Sequence, residues 1–224
     1  MSASGGVIMI DQLLGIQTWD SAVNGKFFRA LEDYFNEDKC ELTVEVAYEL
    51  MKRGGNRNLV SAETILVYAT QHYFDVKDSY YKALVYYCLG QLYEFHLNDF
   101  VKSYTAYDKY ILNNTKYDGT HALMLRAIIH RDDFTYSEEL EKHLNNSMGE
   151  VDLGLRNDRL YENLGCLIVA KHNGDEEKVA MYTKRLKNIV KSDEWLILDL
   201  VFRKDTIPDS LRVPKKVIKF INEL

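Results

Sequence analysis

Proline is almost missing from this chain. Its two prolines, Pro208 and Pro214, both fall near the C-terminal end, so the first 207 positions hold no residue that removes a backbone donor and breaks a helix. That absence favours an all-helical protein. Long apolar runs are missing too: nothing approaches the roughly 20 consecutive apolar residues that a membrane-spanning helix needs. The opening MSASGGVIMI has no basic segment ahead of its apolar run, which Asp11 then interrupts, so it does not read as a secretory signal. A cytoplasmic protein without membrane contact is expected. Cysteine is sparse, with Cys40, Cys88 and Cys166 far apart and no CxxC spacing, which predicts buried thiols rather than a disulfide framework. Clusters of Lys and Arg are absent until the last few turns and the formal net charge is −6, so nucleic acid is not expected as a direct ligand.

Signatures of catalysis are also lacking. None of the six histidines forms HExxH, and no pair stands at ligand spacing with a carboxylate. Gly54-Gly55-Asn56 is too short to cradle a phosphate, and no GxSxG occurs. His130-Arg131-Asp132-Asp133 has the look of a catalytic loop, but the glycine-rich loop and strand lysine that such a loop requires are missing. No enzyme activity, metal or cofactor is therefore expected.

What is present is helical periodicity, segment after segment. The pattern predicts helices over 20–35, 42–53, 60–74, 79–96, 99–113, 119–130, 135–147, 157–172, 175–191, 193–203 and 213–222, after an N-terminal arm over 1–8. Asp99, Ser61 and Asp175 offer N-caps. The breaks are short, so consecutive helices should fold back on one another as hairpins. Internal similarity supports a repeat: Tyr161 to Gly165 matches Tyr86 to Gly90, both ending in Leu-Gly. Glycine inside a helix costs about 1 kcal/mol relative to alanine, so Gly90 and Gly165 should mark close helix approach. Tyr86, Leu89 and Tyr93 then share a face expected to meet Phe100, Tyr104, Tyr107 and Ile111.

Tyr86-x-x-Leu89-Gly90-x-x-Tyr93, the turn Asn98-Asp99-Phe100, then Ser103 and Tyr107, resembles one unit of a tetratricopeptide repeat, and Tyr161 to Gly165 with Lys178 to Ala180 resembles a second. Tyr110 departs from the family pattern, standing where alanine is usual. The resemblance implies an all-α, right-handed superhelix of about five antiparallel hairpins over 9–224, closed by a C-terminal capping helix. It also implies that the first helix of each hairpin lines a concave groove, presenting Leu84, Tyr87, Gln91 and Glu94 from one unit and Arg159, Glu162, Cys166 and Val169 from another. The family's carboxylate clamp of Lys and Asn is replaced by Tyr87 with Gln91 and by Glu162 with Cys166, which argues against acidic peptide tails as ligands.

Two features point to binding. Eleven of the sixteen tyrosines fall between Tyr68 and Tyr117, offering large contact area at little entropic cost. Glu41, Glu45 and Glu49 form an i, i+4, i+8 stripe, preceded by Glu32, Asp33, Glu37 and Asp38. Like charges at that spacing cost roughly 0.2–0.5 kcal/mol each, and a basic partner would relieve them. The expected function is non-catalytic: a protein or peptide held in the tyrosine-rich groove or on the acidic face. Two other functions stay open, a stoichiometric inhibitor of a basic partner, such as a bacterial immunity protein or antitoxin, and a peptide-sensing regulator. An exposed repeat end could also make a homodimer.

Overall fold

The computed structural model describes residues 10–114, 120–147, 158–191 and 215–223, and helix is the only regular structure among them. The expected arm over 1–8, the helix over 193–203 and Pro214 lie outside the described residues. After a short helical stretch at 10–14, the helices are α1 (Ser21–Ala30), α2 (Asn36–Arg53), α3 (Asn56–His72), α4 (Ser79–Gln91), α5 (Phe100–Asn113), α6 (Thr120–Arg131), α7 (Glu138–Ser147), α8 (Asp158–His172), α9 (Glu176–Lys191) and α10 (Lys215–Asn222). No helix among the described residues is long and apolar enough to cross a membrane. Consecutive helices pair as α2–α3, α4–α5, α6–α7 and α8–α9, the hairpins that the short breaks predict. The contacts group the chain into two compact units, Met1–Lys116 and Tyr117–Leu224.

In the first unit, α4 packs against α2 and α3 as well as α5. Asp20 caps α1 by accepting from the Ala22 and Val23 amides, and Asp78 and Asp99 cap α4 and α5 by accepting from Tyr80 N and Lys102 N. Several boundaries differ from expectation: the helix expected over 20–35 ends at Ala30, and the one expected over 135–147 starts at Glu138. Helix α2 starts at Asn36 rather than 42, because Glu37 and Asp38, which read as a polar loop, sit in its first turn, where carboxylates suit the positive end of the helix dipole. Helix α3 starts at Asn56 rather than 60, so Ser61 is a buried residue inside it and caps nothing. The α2–α3 turn is therefore only Gly54 and Gly55, at φ 65° and 78°, values that residues with a Cβ rarely adopt.

The helix expected over 79–96 ends as α at Gln91 and continues as a π turn, Leu92–Leu97, closed by Asn98 in the left-handed region at φ 53°. Gly90 explains the pairing of α4 with α5. The Tyr107 ring lies directly over Gly90, so close that a Cβ there would overlap it, and the phenol donates a 2.6 Å hydrogen bond to Glu94 one turn further on. Gly90 thus admits a side-chain ring rather than a neighbouring backbone. Tyr87, Gly90 and Glu94 meet Tyr107; Tyr86 packs edge-on against Phe74 with Lys109 of α5 over its ring, and Tyr93 donates to Glu63 with Lys102 of α5 over its ring.

In the second unit, α8 packs on α6, α7 and α9. Asp175 caps α9 by accepting from Lys178 N, as its position predicts. Helix α10 lies against α9, burying Val217 and Ile221 and leaving Lys215, Lys216 and Lys219 in solvent. Its Phe220 stacks on Phe134 at 4.9 Å. Gly165 differs from its counterpart: a Cβ there would sit 3.4 Å from Leu144, in ordinary van der Waals contact.

The two glycines should therefore respond with opposite sign. Gly90→Ala forces the Tyr107 ring aside and should cost about 1–3 kcal/mol of stability, the range for overpacking. Gly165→Ala fills available space and should stabilise by about 0.5–1 kcal/mol through helix propensity. Urea denaturation of both variants measures the two signs directly.

Candidate functional site

The residues expected to line a groove on α4 are largely engaged with one another. Tyr48, from α2, donates to Gln91 Oε1 at 2.6 Å, and Gln91 Nε2 donates to the Tyr87 hydroxyl at 2.9 Å. The Tyr87 ring packs against Tyr107 and Tyr110. Leu84 is half-buried against the core, and Glu94 is only 1% exposed, so its carboxylate is part of the interior and is not presented to solvent. In the second unit Glu162, Cys166 and Val169 are half-buried, and the side chain of Arg159 lies outside the described residues. Burial raises the Cys166 thiol above its ordinary value, which makes it a poor nucleophile. Cys88 is held up by burial as well, and Cys40 is pushed up to about 12 by burial, then by Glu37 and Glu41.

The acidic stripe divides. Glu49 is neutralised by Lys52 at 3.5 Å and Arg53 at 3.8 Å, and Arg53 also donates to the Ile16 and Leu14 carbonyls. Glu41 and Glu45 are exposed, and neither forms an ion pair among the described residues. Folding brings residues to them that are distant in sequence. Tyr81, at the start of α4, has its phenol raised by partial burial, then by Glu41, Asp78, Glu37 and Asp38. The acidic surface is thus built from two helices. Apolar area borders it: Phe35, at the head of α2, is 79% exposed, and Tyr80 is exposed beside Tyr81. Sequence reasoning missed Asp78, Tyr80 and Tyr81 as members of this surface because only the pairing of α2 with α4 joins them to the stripe.

Candidate chemistry elsewhere resolves into structure. At 130–133, Arg131 bonds both oxygens of Asp132 and reaches Glu139 at 2.6 Å, while Ser137 donates to Asp132. These bonds hold the α6–α7 turn, in which Asp133 and Phe134 are left-handed. His130 is buried, with Nε2 3.0 Å from the Tyr161 hydroxyl and its ring edge-on to Phe134. No group of three or more His, Cys, Asp or Glu is placed to hold a metal among the described residues. No protein-family model matches the chain, and comparison with curated proteins and with solved structures gives no significant match.

His130 makes a pH test possible. Burial, then Arg126 and Lys216, lowers its pKa to about 3, well below the ordinary histidine value of 6.5. The unfolded chain therefore binds the proton more readily than the fold does, so stability contributed by neutral His130 is complete above pH 6.5 and is lost as pH falls towards 3. The slope approaches about 1.4 kcal/mol per pH unit between those limits. Thermal melts from pH 7 to pH 4 should show this loss for the native chain and a shallower one for His130→Gln.

Proposed function

We propose that this chain is a non-catalytic, tetratricopeptide-like helical repeat protein that binds a basic protein on the acidic surface of α2 and the start of α4. The observation that carries this reading is that Glu41 and Glu45 are exposed without ion pairs among the described residues, on a surface shared with Glu37, Asp38 and Asp78. A helix gains nothing from such a stripe alone, since like charges one turn apart destabilise it. A basic partner reverses the sign of that term and is steered to the patch from a distance. Phe35 and Tyr80 add the exposed aromatic area on which an interface can build a desolvated centre. Binding in a groove on α4 has less support, because a ligand there would have to displace the bonds joining Tyr48, Gln91 and Tyr87. A stoichiometric inhibitor that masks a basic protein is the cellular role this surface fits best.

Replacing Glu37, Glu41 and Glu45 by lysine tests the surface, with Glu49 left alone because it serves Arg53. Affinity capture from the native host, at low and at moderate salt, should recover a basic partner whose binding falls at least about tenfold in the variant and weakens with salt. A partner held equally by both proteins would remove the acidic surface from the function. Glu41 and Glu45 are exposed, so the stability change should come chiefly from losing Glu37 in the first turn of α2, about 0.3–1 kcal/mol.

A further inference from the structure

Helix α10 is held to the second unit in the way a bound peptide is held. It has eight residues, fewer than the roughly 12–15 that an isolated helix needs in water, so it is helical because it is docked. Val217 and Ile221, one turn apart, are fully buried, and Phe220 stacks on Phe134 of the α6–α7 turn with ring centroids 4.9 Å apart. The opposite face, with Lys215 and Lys219, stays in solvent. Among the described residues, one ion pair ties α10 to the rest of its unit, Lys216 Nζ to Asp133 Oδ1 at 2.5 Å, and both side chains are more than half exposed. Exposed pairs of this kind contribute little, so the apolar anchors carry the contact.

The surface that receives α10 is built by bonds in which α10 takes no part. Asp133 and Phe134 are left-handed, at φ 53° and 61°, a conformation that a bulky side chain seldom adopts unless its surroundings enforce it. Here Phe134 N donates to the Ile129 carbonyl at 2.9 Å, Arg131 bonds Asp132 and Glu139, and Ser137 donates to Asp132. The His130 ring meets Phe134 edge-on at 5.4 Å. Helix α9 forms the adjoining wall, and α8 places Lys171 Nζ 5.3 Å over the Phe220 ring. A short amphipathic helix with anchors at i, i+3 and i+4, seated in a groove that other elements hold in shape, is one of the recurring modes of peptide recognition.

We propose that the groove formed by α9, the α6–α7 turn and the end of α8 is a receptor site for an amphipathic helix of a partner protein, with α10 as its built-in occupant. The seated helix shows what the site accepts: an aliphatic residue, an aromatic and an aliphatic residue three and four positions on, and a lysine just before them for Asp133. A partner has to displace α10, which competes as a tethered segment and so keeps the site closed to weak ligands. A second copy of this chain would offer the same helix against that tethered competitor with no gain in contacts, which favours a different protein. The site is independent of the acidic surface on α2, and either can fail without the other.

The test uses the full-length chain carrying Val217→Asp and Ile221→Asp, which keeps α10 out of the groove. Its probe is a fluorescently labelled peptide of residues 215–223 with blocked ends, followed by anisotropy. The variant should bind the peptide saturably, and the native chain at least about tenfold more weakly because its own α10 competes. A peptide with Val217→Ala and Phe220→Ala should lose at least about tenfold on the variant, since it lacks two of the anchors. Should the variant fail to fold, hydrogen exchange of the native chain decides: α10 amides should exchange at least about tenfold faster than those of α8, through local opening. No saturable binding by the folded variant, equal binding by the native chain or of the altered peptide, or α10 amides that exchange only together with α8 would each overturn the proposal.

Discussion

The first unit is organised around one ring. Tyr107 is fully buried, lies on Gly90 and ends on Glu94, so a single side chain sets the spacing of α4 and α5 and neutralises the cost of burying a carboxylate. Each part requires the others. A Cβ at position 90 would lift the ring, and a lifted ring would take the 2.6 Å Tyr107 bond from a carboxylate buried in the interior. The π turn follows immediately, and Asn98 and Asp99 reverse the chain into α5 with Asp99 N bonded to the Tyr93 carbonyl. Gln91 sits within this frame, so the Tyr48–Gln91–Tyr87 chain inherits its rigidity. Of the groove-lining positions, Glu94 is internal, while Leu84, Tyr87 and Gln91 stay half-buried.

Charge is handled differently on the surface and inside. Exposed pairs such as Lys102 with Glu63 at 3.0 Å contribute little, about 0–1 kcal/mol. The stripe on α2 lacks even that compensation at Glu41 and Glu45 among the described residues, which makes it a small cost to the helix. In the second unit the balance is reversed: neutral His130 sits near Arg126 and Lys216, and the fold resists a further positive charge there. The two units therefore respond to pH and salt through different groups.

How much of this was legible in the sequence follows from how local each determinant is. Helical periodicity and the scarcity of proline located most helices, and Asp99 and Asp175 were recognisable as caps because an aspartate directly before an apolar-periodic run accepts from the first turn. The same reasoning failed at Ser61. The true start of α3 is set by the left-handed pair Gly54-Gly55, after which Asn56 and Arg57 are helical despite their polarity. Gly90 announced a close contact, while its partner could not be read, because a side-chain ring and a backbone leave the same mark in sequence. Gly165, in the same Leu-Gly step, has room for a Cβ. Identical words in the sequence carry different loads in the fold.

Glu94 and Asn24 show where sequence reasoning stops for buried polar residues. A glutamate on a helix reads as surface, and only the position of Tyr107, thirteen residues on, makes Glu94 internal and satisfied. An asparagine four residues into a helix reads as a neutral substitution, and only an account of every donor near it shows that its oxygen is left over. Burial alone does not distinguish the two, since both are at most 5% exposed. The fold completes the hydrogen bonds of Glu94 and Asn58, and it leaves Asn24 Oδ1 without one among the described residues although that oxygen is equally closed to water.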